Sequence, residues 1–138
     1  MSAAALLIAA GAAITLVLGT LHLVFTFSGE RFFPRDAALM QRMQAVSPQI
    51  TRQTTMWRSG VGFHASHSLG AMLFGLVYLY LALQAAAFFF SSFFLVAVGF
   101  SYVSAMTWLA RRYWFSVPFV GLAAAAGLYA AGVVAHAV

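Results

Sequence analysis

The 138-residue sequence contains no cysteine and no lysine, and it has only two acidic residues, Glu30 and Asp36. Without cysteine, the chain can form neither disulfides nor thiolate metal sites, and thiol redox chemistry is excluded. Charged residues make up 7% of the chain, whereas a soluble domain has about 25%. This small number of charged residues could not cover the surface of a water-soluble globule. We therefore do not expect the chain to fold in water.

Hydrophobic residues make up 64% of the sequence, and the mean hydropathy is +0.95. They are concentrated in four long runs, each close to the ~20 residues that cross the hydrocarbon core of a bilayer. We therefore predict an all-α, integral membrane four-helix bundle that forms one domain over residues 1–138. The predicted spans cover residues 3–27, 60–83, 87–109 and 116–138.

The polar connection between the first two spans, residues 28–59, contains signals for a short helix. Asp36 is a suitable N-cap for a helix over residues 37–46. The apolar residues of this segment share one side: Leu39, Met40, Met43 and Val46. This spacing is typical of a helix that lies at the membrane interface. A disordered loop is the alternative.

The same connection contains a second helix-start signal at Ser47 and Pro48. Serine is a good N-cap, and proline is favoured at the first helical position because its missing N–H is not needed there. We therefore expect the second long helix to begin at this pair and to extend out of the membrane before Gly60.

The basic residues are distributed unevenly among the connections. All seven lie in the first and third connections: Arg31, Arg35, Arg42, Arg52, Arg58, Arg111 and Arg112. The positive-inside rule predicts that these connections are cytoplasmic and that both termini are outside. We thus predict a bacterial inner-membrane protein with periplasmic termini. The net charge of +5 is explained by topology and lipid headgroups, so we expect contacts with membrane lipids and none with nucleic acid.

Three of the four histidines are predicted to lie at one depth near the cytoplasmic side. His22 lies near the end of the first span, and His64 and His67 lie near the start of the second. Small and polar residues form one stripe on each helix: Gly11, Thr15, Gly19, His22 and Thr26 on the first, and Gly60, His64, His67, Ser68, Ala71, Gly75 and Tyr78 on the second. Since small residues allow close helix approach and polar residues avoid lipid, both stripes should face the interior of the bundle.

Imidazole binds transition metals and exchanges protons near neutral pH. We predict that His22, His64 and His67 bind a cofactor or metal, with Glu30 as a further metal ligand. A transition metal ion or haem is the expected cofactor, and a lipophilic small molecule is the expected substrate. Structural hydrogen bonding of these histidines is the alternative. His136, near the end of the chain, is predicted to have no special role.

The number of spans, the chain length and the Gly19-Thr20-Leu21-His22 string late in the first span resemble a group of small four-span bacterial membrane proteins. This group includes the DoxX-like and anthrone-oxygenase-like proteins. The resemblance implies a four-helix bundle and is compatible with a redox role.

Three functions are compatible with these features. The first is a membrane enzyme or cofactor protein, either an oxidoreductase or a lipid-modifying enzyme, with its site in the cytoplasmic leaflet. The second is a non-catalytic accessory subunit of a larger membrane complex, because the connections are short and the helix faces smooth; either a homo-oligomer or partner membrane subunits would then be expected. The third is a carrier of protons or small solutes, which the few polar residues in the outer halves of the spans disfavour.

Overall fold

A computed structural model describes residues 1–138 and contains helices, turns and connections but no strands. The helices are α1 (Ala3–Phe27), α2 (Ala37–Ala45), α3 (Met56–Gln84), α4 (Ala86–Ser91), α5 (Phe93–Tyr113) and α6 (Ser116–Ala137). Four of them, α1, α3, α5 and α6, are long and apolar enough to cross a membrane. The chain is therefore an all-α integral membrane protein, which confirms the predicted fold class.

The third predicted span, residues 87–109, is not one continuous helix. Ser92 has an extended backbone, with φ −99° and ψ 97°, and it separates α4 from α5. The Leu95 amide donates a hydrogen bond of 3.3 Å to the Ser92 hydroxyl, which therefore caps the start of α5. Serine is a favoured N-cap, so α5 begins at Phe93, inside the segment that the sequence predicts as one span.

The second long helix begins at Met56, so the predicted start at Ser47 and Pro48 is wrong. Both residues lie outside the helices. The Arg58 amide instead donates a hydrogen bond of 3.3 Å to the Thr55 hydroxyl. Threonine accepts from the third helical amide in this way when it acts as an N-cap, and this cap sets the beginning of α3.

The short helix α2 confirms the helix predicted after Asp36. The Asp36 Oδ1 atom accepts hydrogen bonds from the amides of Ala38 at 2.8 Å and Leu39 at 3.3 Å. These two amides have no partner within the helix, so the carboxylate stabilises its first turn. No residue of α2 is buried in the protein, and its position at the membrane interface stays a prediction.

Contacts within the chain define two compact units. The first unit contains Met1–Leu18 and Ala71–Val138, and the second contains Gly19–Gly70. The first unit includes parts of all four long helices, and its largest fully buried side chains are Ile8, Thr15, Phe89, Val103 and Tyr129.

Two glycines of the predicted stripes allow the helices of the first unit to approach closely. A Cβ atom added at Gly75 would lie 2.8 Å from the Leu16 amide nitrogen and 2.9 Å from the Ala12 carbonyl oxygen. A Cβ atom at Gly11 would lie 2.8 Å from the Ala125 carbonyl oxygen. Backbone atoms cannot move away as the end of a side chain can, so α1 packs against α3 and α6 only because these positions lack side chains.

Two tyrosines of the first unit attach their helices to the start of α5. The Tyr78 hydroxyl donates to the Leu95 carbonyl oxygen at 2.8 Å, and the Tyr129 hydroxyl donates to the Val96 carbonyl oxygen at 3.1 Å. Both tyrosines are buried, and a buried hydroxyl needs a partner of this kind. These bonds satisfy both tyrosine hydroxyls inside an apolar core.

Candidate functional site

The three predicted site histidines all belong to the second unit. His22 lies near the end of α1, while His64 and His67 lie in the first half of α3, and all three are partly buried. Two of their backbone carbonyls accept hydrogen bonds from nearby hydroxyls. The Thr26 hydroxyl donates to the His22 carbonyl at 2.8 Å, and the Ser68 hydroxyl donates to the His64 carbonyl at 2.8 Å. These hydroxyls are therefore satisfied by their own helices, and the imidazole rings supply the polar groups of the site.

The structure brings the three imidazole rings together. The Nε2 atom of His22 lies 3.2 Å from the Nδ1 atom of His64, which is a hydrogen bond between the two rings. The ring centroid of His67 lies 5.4 Å from that of His22, with the ring planes 77° apart. The two helices thus present one hydrogen-bonded imidazole pair and a third imidazole beside it.

Phe32 also belongs to this group, although the sequence analysis did not select it. Its ring stacks on His64, with centroids 4.7 Å apart and planes 12° apart, and it lies 4.8 Å from the His22 ring. We call His22, Phe32, His64 and His67 the candidate site. Phenylalanine is so frequent in this chain that its residue type carried no signal, and only the path of the connection reveals its role.

A tight turn after α1 directs the chain back toward the histidines. The Ser28 amide donates to the Val24 carbonyl at 2.8 Å, and Gly29 then adopts a positive φ of 80°. Glycine is favoured at this position after a helix because it has no Cβ to clash in the left-handed region. The turn reverses the direction of the chain soon after the helix ends, so the Phe32 ring reaches His22.

Phe63 lies beside the candidate site, next to His67. Its ring is nearly parallel to that of His67, with centroids 6.4 Å apart and planes 12° apart. Its side chain is 70% exposed. Phe63 lies on α3, which is long and apolar enough to cross a membrane, and its ring gives the candidate site an apolar edge.

The predicted fourth metal ligand, Glu30, does not join the histidines. It is exposed, and its carboxylate forms neither an ion pair nor a hydrogen bond. No group of three or more histidine, aspartate or glutamate side chains is arranged to hold one metal ion. Metal or haem binding by His22, His64 and His67 stays a prediction.

The hydrogen-bonded pair has a defined chemical capacity. A neutral imidazole has one donor and one acceptor nitrogen. His22 and His64 use one nitrogen each in their mutual bond, whereas Nδ1 of His22 and Nε2 of His64 make no hydrogen bond within the protein. Whichever tautomers are present, one of these outer nitrogens is a donor and the other an acceptor. The pair can therefore bind a polar group that both donates and accepts, or a pair of such groups.

The remaining histidine, His136, lies in the first unit and does not contribute to the candidate site. Its ring stacks on Phe90, with centroids 4.0 Å apart and planes 12° apart. It therefore forms a histidine–phenylalanine stack similar to that of His64 and Phe32, but without a second imidazole in contact with it. This makes His136 a useful control residue.

No protein-family model matches the chain, and no curated protein or solved structure matches it. The resemblance to DoxX-like and anthrone-oxygenase-like proteins therefore stays a prediction. A functional assignment depends on the geometry of the candidate site.

Proposed function

We propose that this protein binds a lipophilic molecule through a polar head group in the cytoplasmic leaflet, and that the His22–His64 pair contacts the head group. The observation that carries the proposal is the hydrogen bond of 3.2 Å between these rings, which leaves one outer nitrogen on each without a protein partner. Polar side chains inside a span are costly, so a function for them is the default expectation.

The surroundings of the pair support a lipophilic ligand. Phe32 stacks on His64 and lies tilted against His22, and exposed Phe63 borders the third imidazole. Ligand sites commonly combine apolar and aromatic walls with a few polar groups that orient the ligand. A hydroxyl or carbonyl group on a flat, conjugated head would match both the outer nitrogens and the stacked rings, while an apolar tail would remain among the lipid chains.

The same geometry supports acid–base chemistry on the bound head group. Imidazole exchanges protons near neutral pH, and a hydrogen-bonded pair can accept a proton at one outer nitrogen while releasing one at the other. A membrane oxidoreductase acting on a quinone-type molecule needs such an exchange, and so does a lipid-modifying enzyme. A metal ion or haem held by the histidines is the alternative cofactor for the first of these activities.

An accessory role in a membrane complex is the second candidate function. The observation that favours it is an exposed face of small residues on α6, made by Ala124, Gly127 and Ala131. A Cβ atom added at Gly127 would meet no atom within 4 Å. Small exposed residues allow another transmembrane helix to approach closely, so this face suits either a second copy or a partner subunit.

The proposal can be tested on protein purified in mild detergent. Organic extraction with mass spectrometry would identify bound lipophilic compounds, while a visible spectrum and elemental analysis would detect haem or metal in the same sample. We expect one retained compound in the wild type and its loss in H22A and H64A. The H136A variant removes the histidine that stacks on Phe90 and should retain the compound.

Three results would contradict the proposal. Equal retention in wild type, H22A and H64A would mean that the histidines only pack the helices. Stoichiometric metal or haem that disappears in both variants would identify the histidines as ligands of that cofactor. If the wild-type protein contains no compound and co-purifies with larger membrane subunits, the accessory role is favoured. Unfolding temperatures of the variants would separate loss of binding from loss of folding.

A further inference from the structure

An open pocket of about 200 Å³ lies at the protein surface where α5 ends and α6 begins. It is lined by Ala110, Arg111, Trp114, Phe115, Ser116 and Phe119, all in the first unit, and we call it the turn cavity. We propose that the turn cavity binds a phosphate group, carried either by an anionic lipid or by a free phosphate ion. None of its residues belongs to the candidate site, so this proposal is independent of the proposed function.

The charge of the turn cavity comes from Arg111, which forms no ion pair. Its guanidinium carbon lies 5.3 Å from the centroid of the Phe119 ring. This cation–π contact holds the side chain against the cavity wall. The five N–H donors of a guanidinium suit the oxygen atoms of phosphate and can form paired hydrogen bonds with them. Arg111 therefore provides an anchored cation without a protein anion to neutralise it.

The first residues of α6 add further hydrogen-bond donors. Phe115 is its N-cap and supplies no side-chain hydrogen bond. The amides of Ser116 and Val117 therefore lack a side-chain partner, as the first amides of a helix lack one within the helix. Ser116 itself lines the cavity. The positive end of α6 thus adds to the attraction that Arg111 exerts on an anion.

The turn cavity lies at the membrane depth that is expected for lipid phosphate groups. It lies at the ends of two candidate spans, where the glycerophosphate groups of a bilayer are found. Trp114 lines the cavity, and tryptophan is enriched at this level of a membrane. An anionic phospholipid would place its phosphate near Arg111 and its acyl chains along the exposed apolar faces of α5 and α6.

The adjacent residue Arg112 provides a matched control. Its guanidinium carbon lies 5.6 Å from the centroid of the Tyr113 ring, and Arg112 does not line the turn cavity. R111Q and R112Q therefore remove the same charge from the same turn of α5. We would measure binding of phosphatidylglycerol and phosphatidylcholine to the detergent-purified full chain by native mass spectrometry, with inorganic phosphate as competitor.

We expect wild-type protein to retain phosphatidylglycerol more strongly than phosphatidylcholine, and R111Q to bind it about tenfold more weakly, the usual effect of losing hydrogen bonds to a charged group. R112Q should change binding less than about twofold, and R111K, which keeps the charge but loses the fork, should be intermediate. If the ligand is a lipid, millimolar phosphate should displace little phosphatidylglycerol. Strong displacement, together with phosphate binding that R111Q removes, would identify free phosphate as the ligand.

Equal weakening by R111Q and R112Q would overturn the proposal, because it would indicate diffuse attraction to the arginines of α5. Absence of both phosphatidylglycerol and phosphate binding to the wild type would also overturn it. Unchanged unfolding temperatures would show that the variants remain folded. Since no histidine is altered, loss of phosphate binding would not affect the proposal for the candidate site.

Discussion

The ring of Phe32 stacks on the imidazole of His64, with centroids 4.7 Å apart and planes 12° apart. Phe32 lies in a connection, and His64 lies on α3. Their contact shows that the connection after α1 contributes to the candidate site and does more than join two spans.

Replacing Phe32 with alanine should weaken binding of the lipophilic ligand by about tenfold, because aromatic contacts contribute about 0.5–1.5 kcal/mol beyond the area that they bury. Phe33 is the matched control, because its ring packs edge-on against Trp57 at 4.9 Å. F33A should change binding less than about twofold. Ligand titration of both purified variants tests this, and an equal effect of F33A would contradict a specific role for Phe32.

Adding one methyl group at Gly75 should destabilise the protein, whereas adding one at Gly70 should not. A Cβ at Gly75 would lie 2.8 Å from the backbone nitrogen of Leu16, while one at Gly70 would meet nothing within 4 Å. Overpacking costs about 1–3 kcal/mol, so G75A should unfold at a lower temperature in detergent. G70A should be neutral or up to about 1 kcal/mol more stable, because alanine favours helix more than glycine. Equal stability of the two variants would contradict the close packing of α1 and α3.

Reporter fusions should place both termini in the periplasm, because all seven arginines lie in the first and third connections or at the helix ends that flank them. A C-terminal alkaline phosphatase fusion should be active. An alkaline phosphatase fusion in the connection between α1 and α3 should be inactive. A fluorescent protein fused at the same place should be fluorescent, because this connection is predicted to be cytoplasmic. A fluorescent C-terminal fusion would reverse the orientation, and the candidate site would then belong to the outer leaflet.

The helix α2 should lie at the membrane interface with Leu39, Met40 and Met43 facing the acyl chains. Spin labels placed singly along Ala37–Ala45 should show lipid accessibility that repeats every three to four residues, the period of a helix with one face in the membrane (about 3.6 residues). Uniformly high accessibility to water-soluble relaxants would instead mean that α2 extends into solvent.

Local chemistry was sufficient to predict much of the fold. The span Ala3–Phe27 and the α2 cap at Asp36 agree with the structure, because hydropathy over a long run and a capping carboxylate act within neighbouring residues. Local reasoning failed where several caps competed. Ser47 is as good a cap as Thr55 by residue type, and Ser92 ends α4 within a segment that is apolar enough on average to be predicted as one span.

Sequence by itself determined that this is a four-span membrane protein and that His64 and His67, three residues apart, share one face of their helix. Only the tertiary structure decided that Nε2 of His22 and Nδ1 of His64 lie 3.2 Å apart, that the Phe32 ring lies against both imidazoles and that Glu30 is exposed. The reason is physical. Periodicity specifies the direction of a side chain around its own helix, whereas distances between atoms of different segments depend on how closely the helices pack and on how the turn at Gly29 redirects the chain.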